Sequence, residues 1–236
     1  DNLAKVAEGQ RDSGLHWDYY SIDFWHDSKG DLKTPDAGRF PNGFTKILPE
    51  LNKLGTRPGL WLDSGNVGDW TIADNPAVAP ARTPARGSQR FGLCRATEPA
   101  NRFYIEGYAH QLRANGVRLV KFDNVQLSCS NPDHEHLPGE YSTEPIANAL
   151  IEFYRSLDRE GPDVFIMLYW YYLSPWWLQY ADTVFDVGMH MEGASFSPYP
   201  ALRARDSVTR RLDRGRWMLK DWPALGWDTL GIWLAN

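Results

Sequence analysis

Lys121, Phe122 and Asp123 close an apolar, β-branched run that begins at Val117. A lysine and an aspartate two residues apart share one face of a strand, because side chains alternate with period two. A cation on that face keeps the carboxylate ionised, as a nucleophile or a hard ligand must be. Other apolar runs end in the same way: residues 17–25 carry Asp23, and residues 59–65 carry Asp63. Further on, Asp186 follows Thr183-Val184-Phe185, an apolar setting that favours a protonated carboxyl, and Glu192 lies six residues beyond it. Successive buried strands that each deliver a charged side chain to one rim are how a parallel barrel builds a site.

The elements that would position these groups alternate along the chain. Helical spacing or stop signals mark residues 3–13, 44–54, 103–115, 144–159 and 201–214. Strand patterns fall at 17–25, 59–65, 117–123, 164–172, 181–187 and 227–234, with a short helical turn at Pro175-Trp176-Trp177. Alternation at this spacing means βαβ units around a parallel sheet. No glycine-rich phosphate loop follows the first strand, so a dinucleotide fold is disfavoured. The pattern predicts an α/β fold, a (β/α)8 TIM barrel seen as one partial domain over residues 1–236, lacking its first strand and in one version its last. Residues 66–101 and 125–143 form long loops of the kind that carry function. A barrel short of strands leaves edges exposed, so these residues alone should be poorly soluble or inactive.

Bulk properties narrow the function. Among 236 residues, 42% are hydrophobic and the net charge is −5; mean hydropathy is −0.50. Nothing approaches a membrane span, and the acidic balance argues against nucleic acid. The 11 Trp and 11 Tyr stand out. Indole beside carboxylates holds sugar rings, with apolar C–H faces stacked and hydroxyls bonded to acids. Trp61, Trp170 and Trp176 are candidates for such stacking, though burial in a core is the commoner fate of an aromatic side chain.

The order Ile22-Asp23-Phe24-Trp25, Gly38-Arg39-Phe40-Pro41-Asn42-Gly43-Phe44, Leu54-Gly55, Gly59-Leu60-Trp61-Leu62-Asp63 and Lys121-Phe122-Asp123 resembles the catalytic barrel of the melibiase-type α-galactosidases. The match runs from about residue 15 to 125 and thins beyond. The resemblance implies a retaining glycoside hydrolase acting on α-galactosides, with an oligosaccharide or glycoside substrate and no cofactor. It assigns Asp123 as the nucleophile, Asp23 and Trp25 to the sugar's 4- and 6-hydroxyls, and Lys121 to ring hydroxyls. Phe24 departs from the family's paired aspartates, the fifth-strand Cys/Glu motif is replaced by Leu168-Tyr169-Trp170-Tyr171, and the arginine before the acid/base is absent. Glycosyl transfer on the same barrel and a carbohydrate-binding barrel without catalysis are the alternatives.

Retaining hydrolysis needs two carboxylates about 5 Å apart, one ionised and one protonated. Asp123 suits the first role. Asp186 is the favoured acid/base and Glu192 its rival. Asp63 either binds substrate or orients its neighbours, and Trp61 and Trp170 complete the candidate substrate-binding set. The resemblance further implies a bridge between Cys94 and Cys129 in an exported, extracytoplasmic protein; in a reducing cytosol they would be free thiols. Asp133-His134-Glu135-His136 matches no compact zinc spacing and reads as a solvated loop, so no metal is expected.

Overall fold

The structure is a computed structural model. It describes residues 2–27, 30–63, 75–84, 92–123, 125–169, 172, 175–185, 217 and 218. The chain divides into two compact units, Asp1–Phe165 and Ile166–Asn236.

The first unit opens with α1 (Asn2–Ser13), which ends as the Gly14 N–H bonds the Gln10 carbonyl at 3.0 Å. β1 (Tyr19–Ile22) is followed by an irregular loop and α2 (Ile47–Lys53). Gly55, at φ 68°, supplies the left-handed step that turns the chain into β2 (Arg57–Asp63). The long connection after β2 has structure of its own. Asn75 caps a 3₁₀ helix, Pro76–Ala81, by accepting the Ala77 N–H. The short β3 (Arg82–Thr83) and β4 (Gly92–Leu93) then pair antiparallel. α3 (Glu98–Ala114), β5 (Leu119–Asp123) and α4 (Thr143–Glu160) complete the unit.

β2 lies between β1 and β5, and all three strands run parallel. The register sets Ile22 beside Leu60, Trp61 beside Lys121 and Asp63 beside Asp123. β5 is buried along nearly its whole length, as expected of a central strand of a covered parallel sheet. Gly59 permits the close packing, because a Cβ there would stand 2.8 Å from the Leu119 side chain and 3.3 Å from the Ser21 Cα. Ile146, Leu150, Phe153 and Leu157 recur at helical spacing on α4 and are buried. Tyr104 and Tyr108 of α3 meet Phe153 edge-on, and Phe122 of β5 packs against Phe153 and Tyr154. Each such ring contributes about 1.5–3 kcal/mol through burial. The Arg95 guanidinium, 1% exposed, lies 3.8 Å over the Tyr104 ring.

β6 (Phe165–Leu168) begins at the last residue of the first unit and continues in the second, which also contains a 3₁₀ helix Pro175–Gln179, β7 (Thr183–Phe185) and β8 (Trp217–Met218). β6 pairs with β7 and β7 with β8, both parallel. Asp182 fixes the start of that pairing: its carboxylate accepts the Ile166 N–H at 2.8 Å while its own N–H bonds the Ile166 carbonyl at 3.0 Å. The strand at 217–218 was not expected. The helix expected over 201–214 and the strand expected over 227–234 lie outside the described residues. No described helix is long and apolar enough to cross a membrane.

Candidate active site

Asp23, just beyond β1, and Asp63 and Asp123, which close β2 and β5, lie at the same end of neighbouring parallel strands. Asp123 closes β5 with 9% of its surface exposed, and its Oδ2 accepts the Trp61 indole N–H at 3.1 Å. Trp61 is fixed in turn through its backbone, whose carbonyl accepts the Trp25 Nε1–H at 2.7 Å and the Tyr108 hydroxyl at 3.2 Å. Burial pushes the Tyr108 phenol well above its ordinary value, so it stays a donor. The Asp123 carboxyl group is thus oriented in a nearly dry setting by an indole whose own backbone carbonyl is held by two further donors.

Lys121 forms its ion pair across strands, with Nζ 3.8 Å from Asp23 Oδ2 just beyond β1. The lysine is largely covered and the aspartate half exposed. Spacing within β5 had pointed Lys121 at Asp123; the ion pair it makes across strands holds Asp23 at the rim. Burial first and the Asp23 charge second raise the Tyr20 phenol. Asp63 lies beside Asp123 by backbone register.

Trp25, expected at the sugar's hydroxyls, is enclosed behind the rim. It has no exposed surface, packs against Phe44 and Tyr108, and spends its one donor on the Trp61 carbonyl. Its indole thereby braces the backbone of Trp61. The cause is the backbone at Phe24, which takes a left-handed φ of 49°. That conformation is costly for a non-glycine residue and concentrates at functional sites. It turns Trp25 inward and leaves Phe24 39% exposed, its ring 5.0 Å from Trp61. Arg39 donates to the Phe24 carbonyl, with its guanidinium 5.9 Å above the Phe24 ring. His26 stacks nearly parallel on Trp61 at 6.1 Å, and burial lowers its pKa below the usual histidine range. Trp61 is itself only 3% exposed, so it serves the carboxylate before any sugar face.

Phe24 and His26 carry no sequence signal beyond an aromatic next to Asp23; their roles come from the backbone turn. Trp176 is exposed in the second unit, edge-on to Trp177 and Tyr180. Trp170, Asp186 and Glu192 lie outside the described residues.

A different cluster gathers where no metal was expected. The ligand atoms of Cys94, Cys129, His134 and His136 all lie within 4.8 Å of one another. The loop at 133–136 is therefore not simply solvated, as its sequence had implied. Both cysteines are buried and unbridged.

No protein-family profile matches the chain, and no curated protein sequence matches it. Solved structures do match. A variant of the GH36 α-galactosidase AgaA from Geobacillus stearothermophilus in complex with stachyose has 17% identity over 78% of this chain and 28% of that one, at a TM-score of 0.58. The α-galactosidase from Lactobacillus brevis has 14% identity over 77% and 26%, at 0.56. The glycoside hydrolase domain of PelA from Pseudomonas aeruginosa has 19% identity over 85% and 79%, at 0.50. The fold is accordingly that of glycoside hydrolase catalytic domains. Among these it resembles the α-galactosidases, bearing out the motif-level likeness as one of fold, and it spans little more than a quarter of their length.

Proposed function

We propose that this chain belongs to the (β/α)8 catalytic barrel of a retaining glycoside hydrolase that cleaves terminal α-galactoside-like linkages. One observation carries the reading: a buried carboxylate, Asp123, at the C-terminal end of a central parallel strand, held by the Trp61 N–H beside a Lys121–Asp23 pair. Active sites of such barrels lie at that end of the strands. In the first step the Asp123 carboxylate attacks the anomeric carbon and forms a glycosyl ester, while the leaving oxygen takes a proton from the acid/base, Asp186 or Glu192. In the second, water gives its proton back to that residue and displaces Asp123, so two inversions yield retention. Asp23 and Lys121 receive the sugar's hydroxyls, and the exposed Phe24 offers an apolar ring face for stacking. Asp63 and Trp170 stay as further substrate contacts.

The test is to incubate the full-length protein with a fluorosugar α-galactosyl donor that forms the covalent intermediate but releases it slowly. Mass spectrometry should find the label on the peptide containing Asp123. A label on another residue, or an anomerically inverted product, would reject the assignment. One residue favours a second reading, a binding barrel without catalysis: Phe24 stands where the resembled family has its second aspartate. Calorimetric galactose binding without turnover of any aryl α-galactoside would select it.

A further inference from the structure

We propose that Cys94, Cys129, His134 and His136 bind a structural zinc ion that clamps two loops of the first unit together. Their ligand atoms, all within 4.8 Å of one another, belong to two separate connections. Cys94 follows β4 at the end of the β2–α3 connection, and the other three sit between β5 and α4. The contacts pair one sulfur with one ring: Cys94 Sγ to His136 Nε2 at 3.1 Å, and Cys129 Sγ to His134 Nδ1 at 3.2 Å. Tetrahedral zinc bonds to sulfur and nitrogen require ligand separations of roughly 3.3–3.8 Å, so small side-chain shifts suffice.

The surroundings are what a metal site needs. Each imidazole has its other nitrogen at a backbone carbonyl, His136 Nδ1 at 3.0 Å from Leu137 O and His134 Nε2 at 3.1 Å from Pro80 O. A ring that donates to a carbonyl on one side presents a lone pair on the other, and this outer contact is characteristic of metal-bound histidine. Asn131 Nδ2, which donates to Arg82 O, also lies 3.1 Å from His134 Nε2 and would have to turn its hydrogens away for that nitrogen to donate to Pro80 O. The His136 N–H bonds the His134 carbonyl at 2.8 Å, a tight turn that brings side chains at i and i+2 to one place. The Thr83 hydroxyl lies 3.3 Å from Cys129 Sγ, and the Cys129 backbone is pinned by Ser142 Oγ at 2.7 Å and by a bridge to Gly139. Two thiolates neutralise a divalent cation, and the mixed sulfur–nitrogen set selects zinc over hard cations. Four protein ligands make the site closed and hence structural.

The test takes the full-length protein, purified without added metal or chelator. Plasma mass spectrometry should find zinc at one equivalent for this site, and alkylation with peptide mapping should find Cys94 and Cys129 reduced. Cobalt in place of zinc should give the intense visible bands of a tetrahedral ion and a thiolate charge-transfer band in the near ultraviolet. His134→Asn and His136→Asn should each weaken zinc at least about tenfold against a chelating indicator, whereas His110→Asn on α3 should leave it unchanged. Cys94 and Cys129 joined as a disulfide would overturn the proposal. So would reduced cysteines that take up no zinc when it is supplied, or histidine variants that keep wild-type affinity. Should the variants fail to fold, the cobalt spectrum decides alone, and weak six-coordinate bands without sulfur charge transfer would overturn the site.

Discussion

Replacing Trp25 by Phe separates a residue that supports the site from one that touches a sugar. Trp25 is wholly buried and its indole N–H donates to the Trp61 carbonyl at 2.7 Å. Phe cannot donate, and losing a buried hydrogen bond of this kind costs about 0.5–1.5 kcal/mol. The smaller ring leaves roughly 40 Å³ unfilled, which at about 24 cal/mol per Å³ adds about 1 kcal/mol. The sum is a destabilisation of about 1.5–2.5 kcal/mol. The Trp61 carbonyl keeps its second donor, Tyr108, so Trp61 should still reach Asp123. Urea unfolding gives the stability, and turnover of an aryl α-galactoside by the folded variant gives kcat and KM. KM should stay within about twofold of wild type, since no contact to substrate is lost. A variant that is less than about 0.5 kcal/mol destabilised yet shows a tenfold higher KM would place Trp25 against the sugar and refute its supporting role.

Asp186→Ala should keep forming the glycosyl-enzyme from a dinitrophenyl galactoside, and azide should restore its turnover with an α-configured azide product; rescue of Glu192→Ala instead would reverse the two roles. Gly59→Ala should cost about 1–3 kcal/mol, because the new methyl meets the Leu119 side chain and the Ser21 backbone; unchanged urea stability would contradict the β1–β2–β5 packing. His26 carries a lowered pKa from burial. Its folded value lies below that of the unfolded chain, so the unfolded state takes up the proton first. Stability from this group is therefore intact above the unfolded value near pH 6.5 and falls below it, by up to about 1.4 kcal/mol per pH unit until the folded value is passed. His26→Phe should flatten the stability profile in that window, and an unaltered slope would mean that another group titrates there.

The strand ends were legible because their signal is local. A short apolar run closing in a carboxylate, Gly59-Leu60-Trp61-Leu62 before Asp63 and the Val-containing stretch before Asp123, marks both strand ends without knowledge of any neighbour. Element existence followed from periodicity in the same way, whereas the expected strand over 17–25 proved to be β1 at Tyr19–Ile22. The chain leaves the strand at Asp23 because Phe24 adopts a left-handed conformation. Propensity cannot foresee that turn, and it decides which of two aromatics is buried. The partner of Lys121 was hidden for a related reason. Spacing within β5 proposes Asp123, while the pairing with Asp23 depends on the register between strands.

The metal-type cluster shows a different limit. Its two halves were each visible: the cysteines as a candidate bridge between rim loops, the histidines as a pair at an unusual spacing. Neither half is a zinc motif, because a sequence motif requires the ligands to be close in the chain. Cys94 stands 35 positions before Cys129, and only the packing of the β2–α3 connection against the β5–α4 connection closes the set. The same packing explains how one pair of cysteines can serve either chemistry. A disulfide and a four-ligand zinc site both cross-link these loops, and both restrict the unfolded chain by closing the same long loop. They differ in what they ask of the neighbours. A disulfide needs nothing from His134 or His136, whereas here each ring sets one nitrogen against a carbonyl and turns the other toward a sulfur. A zinc ion would use that arrangement directly, taking the sulfur-facing nitrogen of each ring as a ligand, whereas a bond between the cysteines alone would leave both rings outside the cross-link.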